Sequence, residues 1–168
     1  MNKLILDGVE YNLSDDLVAK LKESVAAQDC AKKTDNPFGA YEGLPYYYID
    51  CFDGVCGVRD SRSGADSHLI AVANYCRDEE LMKQRALHET LNRLLWRYSE
   101  THGGDNFWET ADNHHYFICW GAASGLGVTL SIATKANGVV YFKDEKTARY
   151  AIVEVVNPFL TEHPEFVW

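Results

Sequence analysis

The chain has 168 residues, 46% hydrophobic and 12% aromatic, and carries a net charge of −9 at neutral pH. That length suits one domain with a sizeable core, and the apolar content excludes an intrinsically disordered chain. The acidic balance argues against a general nucleic-acid binder, which needs a basic stripe to displace counterions from phosphates.

In chain order, the opening Leu4-Ile5-Leu6, Asp7-Gly8, Val9-Glu10-Tyr11 predicts a hairpin, because Asp-Gly tolerates the positive φ angles of a two-residue turn. Asp7, Gly8 and Glu10 also interrupt any apolar run of signal-peptide length, so a cytoplasmic protein is expected. Ser14 is suited to cap a helix whose apolar positions Leu17, Val18, Leu21 and Val25 run to about Ala31. Residues 32–45, with Asn36-Pro37-Phe38-Gly39, read as a linker. Tyr46 to Cys51, Asp53-Gly54 and Val55 to Val58 predict a second hairpin, followed by a polar loop from Asp60 to Ser67 and a short apolar run, Leu69 to Ala73.

Asp78 is placed to cap the longest helix, with Leu81, Met82, Leu87, Leu91, Leu94, Leu95 and Tyr98 as its stripe and Gly103-Gly104 as its stop. Tyr116–Trp120 and Val128–Ala133 predict strands around a glycine-containing turn, and Val139–Phe142 a further strand after Asn137-Gly138. Asp144 then caps a last helix with Ala148, Ile152, Val155 and Val156 inward and Pro158 as its end. The expected fold class is α+β, antiparallel strands with helices packed against them. Tyr47–Cys51 aligns with Tyr116–Trp120, and Tyr75–Glu79 with Tyr141–Glu145, which suggests a duplicated strand-strand-strand-helix unit. The expected organisation is an N-terminal hairpin and helix at 1–34 and two strand-helix units at 46–102 and 114–168, within one compact domain.

The motifs that would carry chemistry fall short. His88-Glu89-Thr90-Leu91-Asn92 opens like a metalloprotease helix, but Asn92 stands where the second histidine ligand belongs. Cys51 and Cys56 lack two further ligands at comparable spacing, and the adjacent His114 and His115 point to opposite faces of a strand. Gly121 to Gly127 lacks both the Lys-Ser/Thr ending of a phosphate loop and a following helix. Five cysteines, an odd number, suit reduced thiols better than a disulfide scaffold. No catalytic residue, metal or cofactor is expected.

Charge distribution says more. Residues 35–66 hold six acids, including Asp50, Asp53, Asp60 and Asp66, against Arg59 and Arg62. From Tyr98 to Thr134 there is no Lys or Arg, while Glu100, Asp105, Glu109 and Asp112 fall in its first half. These eight acids are the candidate partner-binding residues, a negative face for a basic partner.

Three further stretches carry a resemblance: Asp7 to Ser14 with Tyr46 to Asp50; Val72 to Met82 continuing into Leu87 to Trp96; and Val140 to Glu145 with Ala151-Ile152 and Pro158-Phe159-Leu160. Over most of its length the chain resembles a group of small accessory proteins of Firmicutes phages and prophages. It departs from them at Cys76, where relatives tend to carry an aromatic, and in the 121–127 loop. Accessory proteins of this size often inhibit bacterial immunity, so the resemblance implies action in the bacterial host cytoplasm, without catalysis. The implied partner is a host defence protein such as a CRISPR effector nuclease, whose basic nucleic-acid channel an acidic module can occupy. Direct nucleic-acid binding and membrane insertion are not expected. Two alternatives stand beside this. One is a sponge for a nucleotide immune signal, with Tyr46–Tyr48, Trp108 and Trp120 stacking on bases. The other is a structural or regulatory phage protein acting as a homo-oligomer.

Overall fold

Residues 2–6, 9–20, 36–108, 113–132 and 134–168 are described by a computed structural model. The fold is α+β, with antiparallel strand pairs and helices. Strands β1 (Asn2–Leu6) and β2 (Val9–Leu13) pair in a register that sets Leu6 opposite Val9, as a two-residue connection requires. The Asp7-Gly8 turn itself lies outside the described residues. Residues 15–20 are helical, with the Ser14 hydroxyl accepting from Leu17 N at 3.3 Å; the expected continuation to Ala31 also lies outside them. Asn36 closes the turn before Gly39, its side chain accepting from Phe38 N and its carbonyl from Gly39 N.

Strands β3 (Pro45–Ile49) and β4 (Val55–Arg59) form the second hairpin. The end of the polar loop and most of the apolar run form one helix, α1 (Gly64–Ala71), started by a capping box in which Ser63 and Asp66 satisfy each other's backbone N–H groups. The long helix α2 (Glu79–Thr101) begins directly after Asp78 and buries Met82, Ala86, Leu91, Leu95 and Ser99 on one face. Leu81, placed in the stripe by the sequence, is 43% exposed. Past the helix end, Gly103 takes φ +90° and Gly104 N donates back to Ser99 O, a closure that needs glycine.

Strands β5 (His115–Gly121), β6 (Gly125–Ser131) and β7 (Tyr141–Phe142) form a sheet in the order β6-β5-β7. Gly125 and Gly127 therefore belong to a strand, with only Ala122–Ser124 turning, and β7 is half the length the sequence suggests. Its brevity has a cause: the N–H and C=O of Tyr141 are taken by the side chains of Asn106 and Ser99. Helix α3 (Glu145–Ala151) starts at Asp144, whose carboxylate accepts from Thr147 N at 2.7 Å and is thereby held below the usual carboxylate range. Pro158 does not end the helix. The chain widens into a π turn (Ile152–Val156) and resumes as α4 (Asn157–Glu162) with the proline in its first turn. The wider turn accommodates a residue with no N–H to give and a ring that would strike a normal α-helical carbonyl.

The chain divides into two units: Met1–Tyr48 with Cys56–Glu79, and Ile49–Val55 with Glu80–Trp168. These boundaries differ from those drawn on the sequence, for the long helix groups with the second unit. The first unit packs around Tyr46, Tyr75 and Cys76, all nearly inaccessible, with Tyr47 bridged antiparallel to Cys76. The second packs Leu91 and Leu95 of α2 against Val140, Phe142, Ala148, Ala151, Val156 and Phe159, with Tyr116, Ile118, Leu126 and Val128 on the sheet face. The strand pairings Tyr47 with Cys76 and Tyr116 with Phe142 are equivalent positions in the repeat alignment. Helix α1 has no described counterpart between β6 and β7.

Candidate functional site

Of the eight candidate acids, two leave the surface. Asp66 is 5% exposed and its carboxylate accepts from the Tyr46 hydroxyl at 2.6 Å and from the N–H and hydroxyl groups of Ser61 and Ser63. Asp60 is 2% exposed and accepts from the Tyr75 hydroxyl at 3.1 Å and Arg62 N at 2.8 Å. A buried carboxylate is tolerated only where donors replace water, and these two collect theirs. The Tyr46 hydroxyl, then Ser63, hold the Asp66 carboxyl far below the usual carboxylate range. In return, burial and then Asp66 push the Tyr46 phenol upward, and burial and then Asp60 push Tyr75 up to about 12. The two phenol rings stack with centroids 4.1 Å apart. Asp60 and Asp66 are therefore structural acids and are withdrawn from any docking face.

Glu100 is exposed and accepts from the Asn106 side chain at 2.8 Å. Asp105 holds Nδ1 of the buried His115, whose ring lies flat on Trp108 with centroids 3.8 Å apart and planes within 7°. His115 Nε2 and Trp108 Nε1 are buried with no hydrogen-bond partner among the described residues. The Asp105–His115 pair ties the loop after α2 to the start of β5. Glu109 and Asp112 lie outside the described residues.

Asp50 and Asp53 lie in the turn of the second hairpin, residues 50–54; Asp50, expected within the first strand, falls just past its end at Ile49. One Asp50 oxygen accepts from Phe52 N at 2.8 Å and from Gly54 N at 2.9 Å, and Asp50 N donates to Gly54 O. This aspartate turn lets Asp53 take φ +66°, a left-handed conformation that aspartate accepts more readily than most residues. Asp53 also meets Arg93 at 2.7 Å, an ion pair about half exposed and worth roughly 0–1 kcal/mol. Between the two acids Phe52 stands 88% exposed. The sequence reading missed it; Phe52 sits in a five-residue turn where an apolar side chain has no neighbour to cover it. The site is thus an aromatic ring on a hydrogen-bonded turn, flanked by carboxylates. It can wedge between groups and attract cations.

The other constellations have structural roles. His88 packs on Phe166 at 4.6 Å, Glu89 accepts from Arg85, and Asn92 donates to Gly138 O. Among the described residues no cluster of three His, Cys, Asp or Glu is placed to hold a metal, and no helix is long and apolar enough to cross a membrane. Of the aromatics named for base stacking, Tyr46 stacks on Tyr75 and Trp108 on His115, while Trp120 remains 53% exposed. Comparison with family models, with curated proteins and with solved structures finds no match to the chain.

Proposed function

We propose that this chain is a phage or prophage inhibitor of bacterial immunity that binds a host defence protein and performs no catalysis, setting the tip of its second hairpin into the basic nucleic-acid channel of a CRISPR effector nuclease. The observation that carries the reading is Phe52, 88% exposed on a turn already fixed by Asp50. An exposed aromatic on a rigid turn loses little entropy on docking, and burying such a ring contributes roughly 1.5–3 kcal/mol. Asp50 and Asp53 beside it suit a channel lined with Lys and Arg, where carboxylates stand in for phosphates. Such a partner would compete with Arg93 for Asp53, at small cost because that pair is half exposed. The resemblance to phage accessory proteins supports the host class.

The test is inhibition and direct binding of a purified effector by Phe52→Ala and Asp53→Asn variants. Each should weaken binding at least about tenfold, near 1.4 kcal/mol, with Tm unchanged. Asp53→Asn should also flatten the salt dependence of association. Undiminished inhibition by the double variant would sink the reading.

A further inference from the structure

The second unit carries a cleft of about 420 Å³ that the hairpin tip does not use, lined by Asn92, Trp96, Asn106, Phe107, Lys135 and residues 136–140. Its walls are pre-formed. Asn106 ties the loop after α2 to β7 by accepting from Tyr141 N at 2.8 Å, and Ser99 donates to Tyr141 O at 2.5 Å. On the opposite side, Asn92 donates to Gly138 O at 2.8 Å and Ala136 N donates to the Tyr141 hydroxyl at 2.8 Å. A segment tied at both ends needs little ordering when a ligand arrives.

Three features of the lining point to one ligand chemistry. Two aromatic side chains stay in solvent here, Trp96 at 45% and Phe107 at 77% exposure. The Lys135 ammonium lies 6.0 Å from the Phe107 ring centroid and 5.8 Å from that of Trp108, and no ion pair ties it to a carboxylate among the described residues. In a chain of net charge −9, a lysine on aromatic faces with no ion pair among the described residues offers a cation to an incoming anion. No backbone N–H from Asn137 to Val140 is donated to another described residue, and Gly138 takes φ +77° there. Successive unspent N–H groups around a left-handed glycine are an arrangement that favours anions. The cleft thus offers donors, a cation and ring surfaces, within the size range of small-ligand sites.

We propose that this cleft binds a small planar aromatic acid, its ring against Trp96 and Phe107 and its carboxylate or phosphate on Lys135 and the 137–140 backbone. The two sources of that anion are separated by the probes, 5′-AMP for a phosphate and indole-3-acetate for a carboxylate, titrated calorimetrically into the full chain beside adenosine and inorganic phosphate alone. At least one of the two ring acids should saturate below about 1 mM, with adenosine and inorganic phosphate at least about tenfold weaker. Lys135→Gln and Phe107→Ala should each weaken the productive probe about tenfold with Tm unchanged, since both side chains are exposed. Absence of saturable binding by both ring acids, or binding indifferent to both substitutions, overturns the proposal. Neither result bears on the hairpin tip, whose variants are read on a protein partner.

Discussion

Replacing Tyr46 by Phe removes one of five donors that hold the Asp66 carboxylate and leaves the two serines. The expected cost is a drop in Tm of roughly 2–8 °C, because the ring stack on Tyr75 survives while one bond to a charged group is lost. Asp66→Asn should cost more. Its amide NH2 would face donors it cannot accept from, and the capping box of α1 would lose its acid. Differential scanning calorimetry of both variants checks the order, and equal or reversed losses would refute it. The same residues show why charge in a sequence is a poor guide to surface. Asp60 and Asp66 look no different from Asp50 and Asp53 along the chain. Their burial also draws on Tyr75 and Tyr46, 15 and 20 positions away, and nothing local announces those partners.

At the scale of elements, both hairpins and the long helix were legible because their signals are local: Asp-Gly turns, a run of aromatic β-formers, a helical apolar stripe. Helix α1 was not, although its Ser63 and Asp66 have capping-box spacing, because its first turns lack an apolar stripe and read as a polar loop. The segment after α4 was equally opaque. Gln84 of α2 grips it at both polar ends of its amide, donating to Glu165 O at 2.7 Å and accepting from Val167 N at 3.0 Å, across more than 80 residues of chain. Phe166 is thereby held against Phe159 and His88, and Trp168 against Phe166. Gln84→Ala should cost about 1–2 kcal/mol and shift tryptophan emission toward the red as Trp168 gains water. Unchanged emission with unchanged stability would show that the aromatic contacts hold the segment unaided.

For the molecule as a whole, the shifted groups set a window of stability. Asp66 and Asp144 have depressed carboxyls in the folded chain, so their contribution is present above the ordinary carboxylate range and is lost as pH falls below about 4. Tyr46, Tyr75 and Tyr98 have raised phenols, so theirs is complete below about pH 10 and is lost as pH rises beyond it. Urea midpoints measured across pH should hold a plateau between those limits and fall on both sides; a flat profile down to pH 2 would contradict the assignment of Asp66. The two units also have a consequence for how the molecule can be dissected. The backbone passes from one to the other at three peptide bonds, after Tyr48, Val55 and Glu79. No single cleavage separates them. A fragment starting at Glu80 keeps Arg93 but leaves behind Asp53 and Phe52, so the smallest piece retaining the hairpin tip in its setting must begin ahead of β3.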